Sequence, residues 1–167
     1  TKDVVEKFGF TYAATSENEI LSDERIQGIV IATRHDSHSD LVAKALSHGK
    51  SIHVEKPLAL TMQQLDQIVE QYNGVNSPFV MVWFNRRFSP LIKHIKEFFG
   101  ISVEPYAMMY RINAGYSPLE HWTQDSEQGG GRIIGEVCHF IDLLQFIAGS
   151  QVKSICAKAL PNLGKYQ

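Results

Sequence analysis

Cysteine is scarce in this sequence: Cys138 and Cys156 are the only two among 167 residues. Two thiols do not make a disulfide framework, so the expectation is a pair of reduced, buried thiols in a cytoplasmic protein. Charge of one sign is lacking too. A net charge of −2 at pH 7 gives no case for nucleic acid or an anionic membrane as partner. No apolar run approaches a membrane span, and no secretory leader is recognisable. An initiator Met is missing and the sequence opens on a helical pattern, so its natural start is expected upstream. A G-x-G-x-x-G turn after a strand is missing as well, because Gly129-Gly130-Gly131 follows a polar loop. Internal repeats and low-complexity tracts are absent.

What is present is a chain with 44% hydrophobic residues, enough for a sizeable core. Its most regular stretch is Ile29–Leu60. Ile29–Ala32 is a short β-branched run suited to a strand buried on both faces. Asp36 or Ser37 can cap a helix carrying Leu41, Val42, Ala45 and Leu46 at helical spacing, and Gly49 stops it. Ser51–Val54 is the next strand. A helix of this length between two strands makes them parallel. Ligands bind outside the carboxyl ends of such strands, where Thr33-Arg34-His35 and Glu55-Lys56-Pro57 stand.

The flanks continue the alternation. A helix is expected over Lys2–Phe8, a strand over Phe10–Ala14, and a short helix behind the capping box Ser16-x-x-Glu19. Thr61-x-x-Gln64 is a second capping box, opening a helix with Leu65, Ile68, Val69 and Tyr72 inward. The pattern changes at Ser77-Pro78. Phe79–Phe84 reads as a strand, and Ser89-Pro90 opens a helix with Leu91, Ile92, Ile95, Phe98 and Phe99 buried. Val103–Asn113 reads as a long strand and Ala114–Gln128 as a decorated loop. A helix follows over Ile133–Ala148, then a strand over Val152–Leu160. The fold class is therefore α/β: a partial Rossmann-like parallel sheet in residues 1–78, then a partial α+β domain with a mostly antiparallel open sheet in 79–167.

Three stretches can carry chemistry. Lys56, between an acid and a proline at a strand end, can hold a substrate oxygen and tune its proton by burial. An ordinary solvated Glu-Lys pair before a turn explains the same three residues. The helix start at Thr33–His38 offers free N–H groups to an anion. A metal pair at His35 and His38 is the rival there, but no third ligand stands nearby. Glu136, His139 and Asp142 are spaced so that both carboxylates can reach one imidazole and make it an acid–base group. A capped structural histidine is the plain alternative. Trp83, Phe84 and Phe88 read as core, while Arg86 and Arg87 either bind an anion or lie exposed.

Taken in order, IVIAT-x-x-x-x-H at Ile29–His38, A-x-x-x-G-K at Ala45–Lys50, EKPLA at Glu55–Ala59, FNRRFSP at Phe84–Pro90 and GGGRIIGEVCHFIDL at Gly129–Leu143 form a set. That set resembles the Gfo/Idh/MocA family of NAD(P)-dependent sugar and cyclitol oxidoreductases, most loosely its bacterial members linked to polysaccharide or nucleotide-sugar metabolism. The resemblance implies a Rossmann domain followed by an open-sheet α/β domain that often pairs subunits, hence a homo-oligomer. It implies catalytic roles for Lys56 and His139, with a frequent cis Lys56-Pro57 peptide. Glu136 and Asp142 would support His139. Ala32, Thr33, His38, Glu55 and Asn85 would line the NAD or NADP site. The implied reaction moves a hydride between a hydroxyl carbon of a sugar or cyclitol and the nicotinamide.

Three departures from the family pattern stand out. The aspartate that many relatives carry four residues before the catalytic histidine is Gly135. The asparagine common in the cofactor loop is His35. The first strand, glycine-rich turn and second strand of the family have no counterpart, so this stretch alone is expected to bind NAD(P) poorly. Two other classes stay open: a non-catalytic NAD(P)- or sugar-sensing regulator of the same fold, and a metal-dependent enzyme using His35, His38, His139 or Asp142.

Overall fold

The computed structural model describes residues 2–72, 74–100 and 104–159. Its organising element is a three-stranded sheet in the order β1 (Gly28–Ile31), β2 (Ser51–Glu55) and β3 (Val80–Trp83). Both pairings are parallel, with Ile29 opposite Ile52 and Ile52 opposite Val80. The strand expected beyond the change at residue 78 thus belongs to the first sheet. Its pairing partner decides this, because the apolar run VMVW is as compatible with a parallel core strand as with an antiparallel one.

Before the sheet stand α1 (Lys2–Phe8) and α2 (Glu17–Leu21). Ser16 caps α2 by accepting from the Asn18 amide, whereas the Glu19 amide turns to the Ser16 carbonyl, so a simple cap stands in place of the expected reciprocal box. No strand forms over residues 10–14; Tyr12 donates its hydroxyl proton to Asp23 at 2.8 Å instead. The Arg25 fork and backbone amide on the same carboxylate, with the Tyr12 hydroxyl, hold Asp23 far below the usual carboxylate range.

Between β1 and β2 runs α3 (His38–Ser47), entered through one tight turn at His35–Ser37. Neither Asp36 nor Ser37 caps it with a side chain. Ser37 bonds the Thr33 hydroxyl and the Arg34 carbonyl. Gly49 ends the helix at φ +67°, a left-handed turn that glycine adopts without a Cβ penalty. Between β2 and β3 lies α4 (Met62–Gln71), which Thr61 and Gln64 cap reciprocally as expected. Its Ile68 is buried, while Val69 and Tyr72 are exposed.

Helices α3 and α4 cover one face of the sheet. Ile31, Val42, Ala45, Leu46, Ile52, Val54 and Ile68 form the core there, with Leu21 joining them. The other face is thinly covered: Val30 is 73% exposed, and beside it His53 packs on Trp83 and Trp83 stacks on Phe88. Burial of β1 on both faces is therefore not observed. Alternation of the β2 residues between buried and half-buried follows from the same one-sided cover.

After β3 come a tight turn at Asn85–Phe88 and α5 (Pro90–Gly100). On α5 only Ile92, Lys96 and Phe99 are partly covered, and Leu91, Ile95 and Phe98 stand open, contrary to the expected buried face. No strand occurs over 104–113 or 152–159, so the expected antiparallel sheet is not formed among the described residues. Apolar alternation marks a surface that fits a sheet, but a strand exists only where a neighbour takes its N–H and C=O groups. Residues 103 and 160 of the two expected strands lie outside the described residues. The last helix, α6 (Cys138–Ala148), is preceded by a wider π turn at Ile133–Val137 and closed by Gly149 at φ +66°. Cys138 is half-buried and Cys156 is exposed, which corrects the expectation of two buried thiols. Among the described residues no helix is long and apolar enough to cross a membrane.

Candidate active site

Three pieces of chain meet at the carboxyl edge of the sheet: the loop after β1, the Lys56-Pro57 turn after β2, and the glycine turn leading into α6. The glycine triplet is what lets the third piece come so close. A Cβ on Gly129 would sit 2.5 Å from the Trp122 carbonyl oxygen, and one on Gly130 would sit 2.5 Å from Leu60 Cδ2. The loop after β1 is tied to this turn throughout. The Asp36 amide donates to the Gln128 carbonyl, Arg34 donates to Gln128 Oε1 at 2.8 Å, and His35 Nδ1 lies 2.9 Å from the Gly129 carbonyl. Burial pushes the His35 imidazole below its ordinary pKa, so the neutral ring donates from Nδ1.

Lys56 leaves β2 with 14% of its side chain exposed. Its ammonium donates to the Gly135 carbonyl at 2.7 Å and stands 3.8 Å from Glu136 Oε1. Both partners lie in the π turn, whose winding spreads consecutive residues differently from an α-helix. This explains why Glu136 turns to Lys56 rather than to His139. Asp142 also turns away: its carboxylate takes the fork of Arg87, which donates from Nε at 3.0 Å and from Nη2. Neither carboxylate hydrogen-bonds the imidazole, contrary to the expected arrangement, although the Glu136 charge still bears on it.

His139 itself is 8% exposed, and its Nδ1 is buried without a hydrogen-bond partner. Phe84 meets its ring edge-on, with centroids 6.1 Å apart. Burial depresses its pKa, and the positive charges of Lys56 and Arg86 depress it further. The ring is thus neutral at physiological pH, the form able to take a proton.

The remaining predicted residues separate into two groups. Ala32 and Thr33 are exposed just past β1, Glu55 closes β2 half-buried, and Asn85 is exposed at the start of its turn. These can face a ligand. His38 cannot, because it is fully buried, with Nδ1 2.8 Å from the Pro57 carbonyl and Nε2 3.1 Å from the Thr33 carbonyl. It staples the two strand-end loops together. The metal reading loses its ligands in the same way: His38 is spent on carbonyls and Asp142 on Arg87. No group of three or more His, Cys, Asp or Glu is placed to hold a metal among the described residues.

Several functional contacts went unforeseen. Lys50 is buried and donates to the Asp23 and Ile26 carbonyls at 2.8 and 2.7 Å. Arg87–Asp142 and Lys56–Gly135 join residues 55 and 79 positions apart. Sequence spacing carries no signal for either, though Asp142 as the one charged residue of an otherwise largely apolar helix hints at a partner.

The geometry has relatives. Residues 1–82 match the oxidoreductase family with an NAD-binding Rossmann fold. A scyllo-inositol 2-dehydrogenase (NAD(+)) of Bacillus subtilis is 26% identical over 157 residues, which is 92% of this chain and 44% of that protein. A myo-inositol 2-dehydrogenase of Thermotoga maritima is 24% identical over 93% of this chain and 46% of its own. The crystal structure of an NAD-binding protein from Listeria innocua superposes with a TM-score of 0.75 at 29% identity, covering 87% of this chain and 43% of that one. The chain spans less than half the length of the curated relatives it matches. Its parallel sheet and the match over residues 1–82 place that stretch in the Gfo/Idh/MocA oxidoreductase family, described by an NAD-binding Rossmann fold.

Proposed function

We propose that the full-length protein is an NAD(P)-dependent dehydrogenase acting on a secondary hydroxyl of a sugar or cyclitol. One observation carries this reading. A neutral, buried imidazole without a partner, His139, shares the edge of the parallel sheet with the ammonium of Lys56. The inositol dehydrogenases among the relatives point to the same substrate class. A division of the chain into a cofactor part and a substrate part belongs to the proposal, with β3 counted in the first.

The residues present fit the cofactor. The exposed strand end at Ala32–Thr33 and the orphaned His139 nitrogen lie where a doubly wound sheet binds its ligands. Ala32, Thr33, Glu55 and Asn85 would hold the nicotinamide cofactor, which supplies the hydride acceptor when bound. His139 accepts the hydroxyl proton as the carbinol is oxidised and returns it in reduction. Lys56 keeps one N–H on the Gly135 carbonyl and has two left for the substrate oxygen, whose growing negative charge it stabilises. The Gly135 carbonyl and Glu136 fix where that ammonium points.

Oxidation of a panel of inositols and hexoses by the full-length protein, read as NAD(P)H absorbance, tests the proposal. Activity with one of them, and its fall by about 100-fold or more in both Lys56→Ala and His139→Ala, is the expected result. Folded variants that turn over like the parent would overturn the assignment.

A further inference from the structure

Two arginines sit side by side before α5, and they differ in what they do with their hydrogen bonds. Arg87 directs the edge of its guanidinium at Asp142 and is spent. Arg86 stands over the Phe140 ring, with Cζ 4.6 Å from the centroid. Phe140 is backed in turn by Tyr110, 5.2 Å away centroid to centroid. Stacking uses the flat face of a guanidinium and leaves its N–H edge free. Among the described residues Arg86 has no carboxylate partner, and it is exposed. Phe140 follows His139 on α6, and Phe84, two residues before Arg86, meets the His139 ring. The Arg86 charge also bears on the imidazole. An exposed cation without a carboxylate partner therefore stands close enough to His139 to act on its charge, and the Nδ1 of that ring is buried and unpartnered.

We propose that Arg86 is a specificity residue, and that the substrate carries an anionic group, a carboxylate or a phosphate ester, which the free edge of its guanidinium binds while the reacting hydroxyl faces His139. A planar fork suits two oxygens of one such group. Phe140 already restrains the Arg86 side chain, so less side-chain freedom is lost on binding. The reaction assigned to the anionic substrate rests on the dehydrogenase reading; the binding of the anion does not.

Calorimetry on the full-length protein with NADH present, using glucose, glucuronate and glucose 6-phosphate, separates the possibilities. The parent should bind one of the two anions at least about tenfold more tightly than glucose, which assigns the group as carboxylate or phosphate. Arg86→Gln should remove that preference, and Arg86→Lys should restore part of it as a point charge. The same panel, followed by NAD+ reduction, should show the anion preference in KM more than in kcat. Equal binding of the three ligands, or a preference that survives Arg86→Gln, overturns the proposal while leaving the dehydrogenase reading intact. Loss of NADH affinity in Arg86→Gln without any change in the sugar preference also overturns it, by making Arg86 a cofactor residue. Anion binding that depends on Arg86, with no turnover of any sugar, supports the site and removes the dehydrogenase.

Discussion

A Cβ on Gly135 would lie 3.0 Å from His35 Cε1 and 2.9 Å from the Gly129 carbonyl oxygen. The imidazole of His35 thus fills the space in which a side chain at position 135 would begin. The two departures from the family pattern, histidine in the loop after β1 and glycine before α6, are one packing arrangement. Each is legible alone as an oddity, but their dependence on each other needs the fold.

Gly135→Ala should therefore destabilise the protein by about 1–3 kcal/mol, the usual cost of overpacking. His35→Ala removes the ring from the contact but leaves the carbonyl, so the double variant should recover part of the loss. Urea midpoints of the four proteins in a double-mutant cycle give the coupling, expected at about 0.5–2 kcal/mol. Strict additivity would show that the ring and position 135 do not compete for space.

Asp142 is 11% exposed and serves Arg87, which is 36% exposed. Breaking the pair leaves a charged hydrogen bond unmade, with solvent screening part of it on the arginine side. Asp142→Ala should cost about 1–2 kcal/mol in urea unfolding. An aspartate that oriented His139 would behave differently, because its loss would move the acid limb of the rate profile. In Asp142→Asn that limb should stay where it is, and a shift would return Asp142 to the imidazole.

The sheet was legible because its signals are local. Gly49, Thr61 with Gln64, and the β-branched runs at Ile29 and Ser51 each specify their own few residues. Lys56 and His139 emerged from a combination of motifs rather than from either residue alone. What escaped is tertiary. The strand Val80–Trp83 takes its identity from β2 across the sheet, and Asp142 takes its partner from residue 87. His38 shows the same limit: a histidine at a helix start looks like a ligand contact until Pro57 and Thr33 are seen on its two nitrogens. The alternation of 104–113 signals a strand, but pairing depends on residues far away in sequence.

Lys50 gives a prediction on stability away from the cleft. Its ammonium closes the turn before β1 by donating to two carbonyls, Asp23 and Ile26. Lys50→Met keeps most of the buried stem and removes the donors. Two carbonyls lose their partner, so a loss of about 1–3 kcal/mol is expected. Lys50→Arg should retain more stability than Lys50→Met, because it still donates. Equal midpoints for Lys50→Met and the parent would mean that water satisfies both carbonyls.

The charges around His139 predict a pH dependence with a definite sign. Burial, Lys56 and Arg86 all lower its pKa from the ordinary value of 6.5. A base works only when unprotonated, so kcat/KM for oxidation should rise with pH through the His139 pKa, with the midpoint of that limb below the ordinary 6.5. Removing a nearby positive charge makes protonation easier and raises that pKa. The acid limb should then move to higher pH in Lys56→Met, along with the loss of rate, and in Arg86→Gln. Full profiles of kcat/KM against pH for the parent and both variants measure the shift. A limb that stays put in both, or moves to lower pH, would show that the group titrating in the rate is not His139.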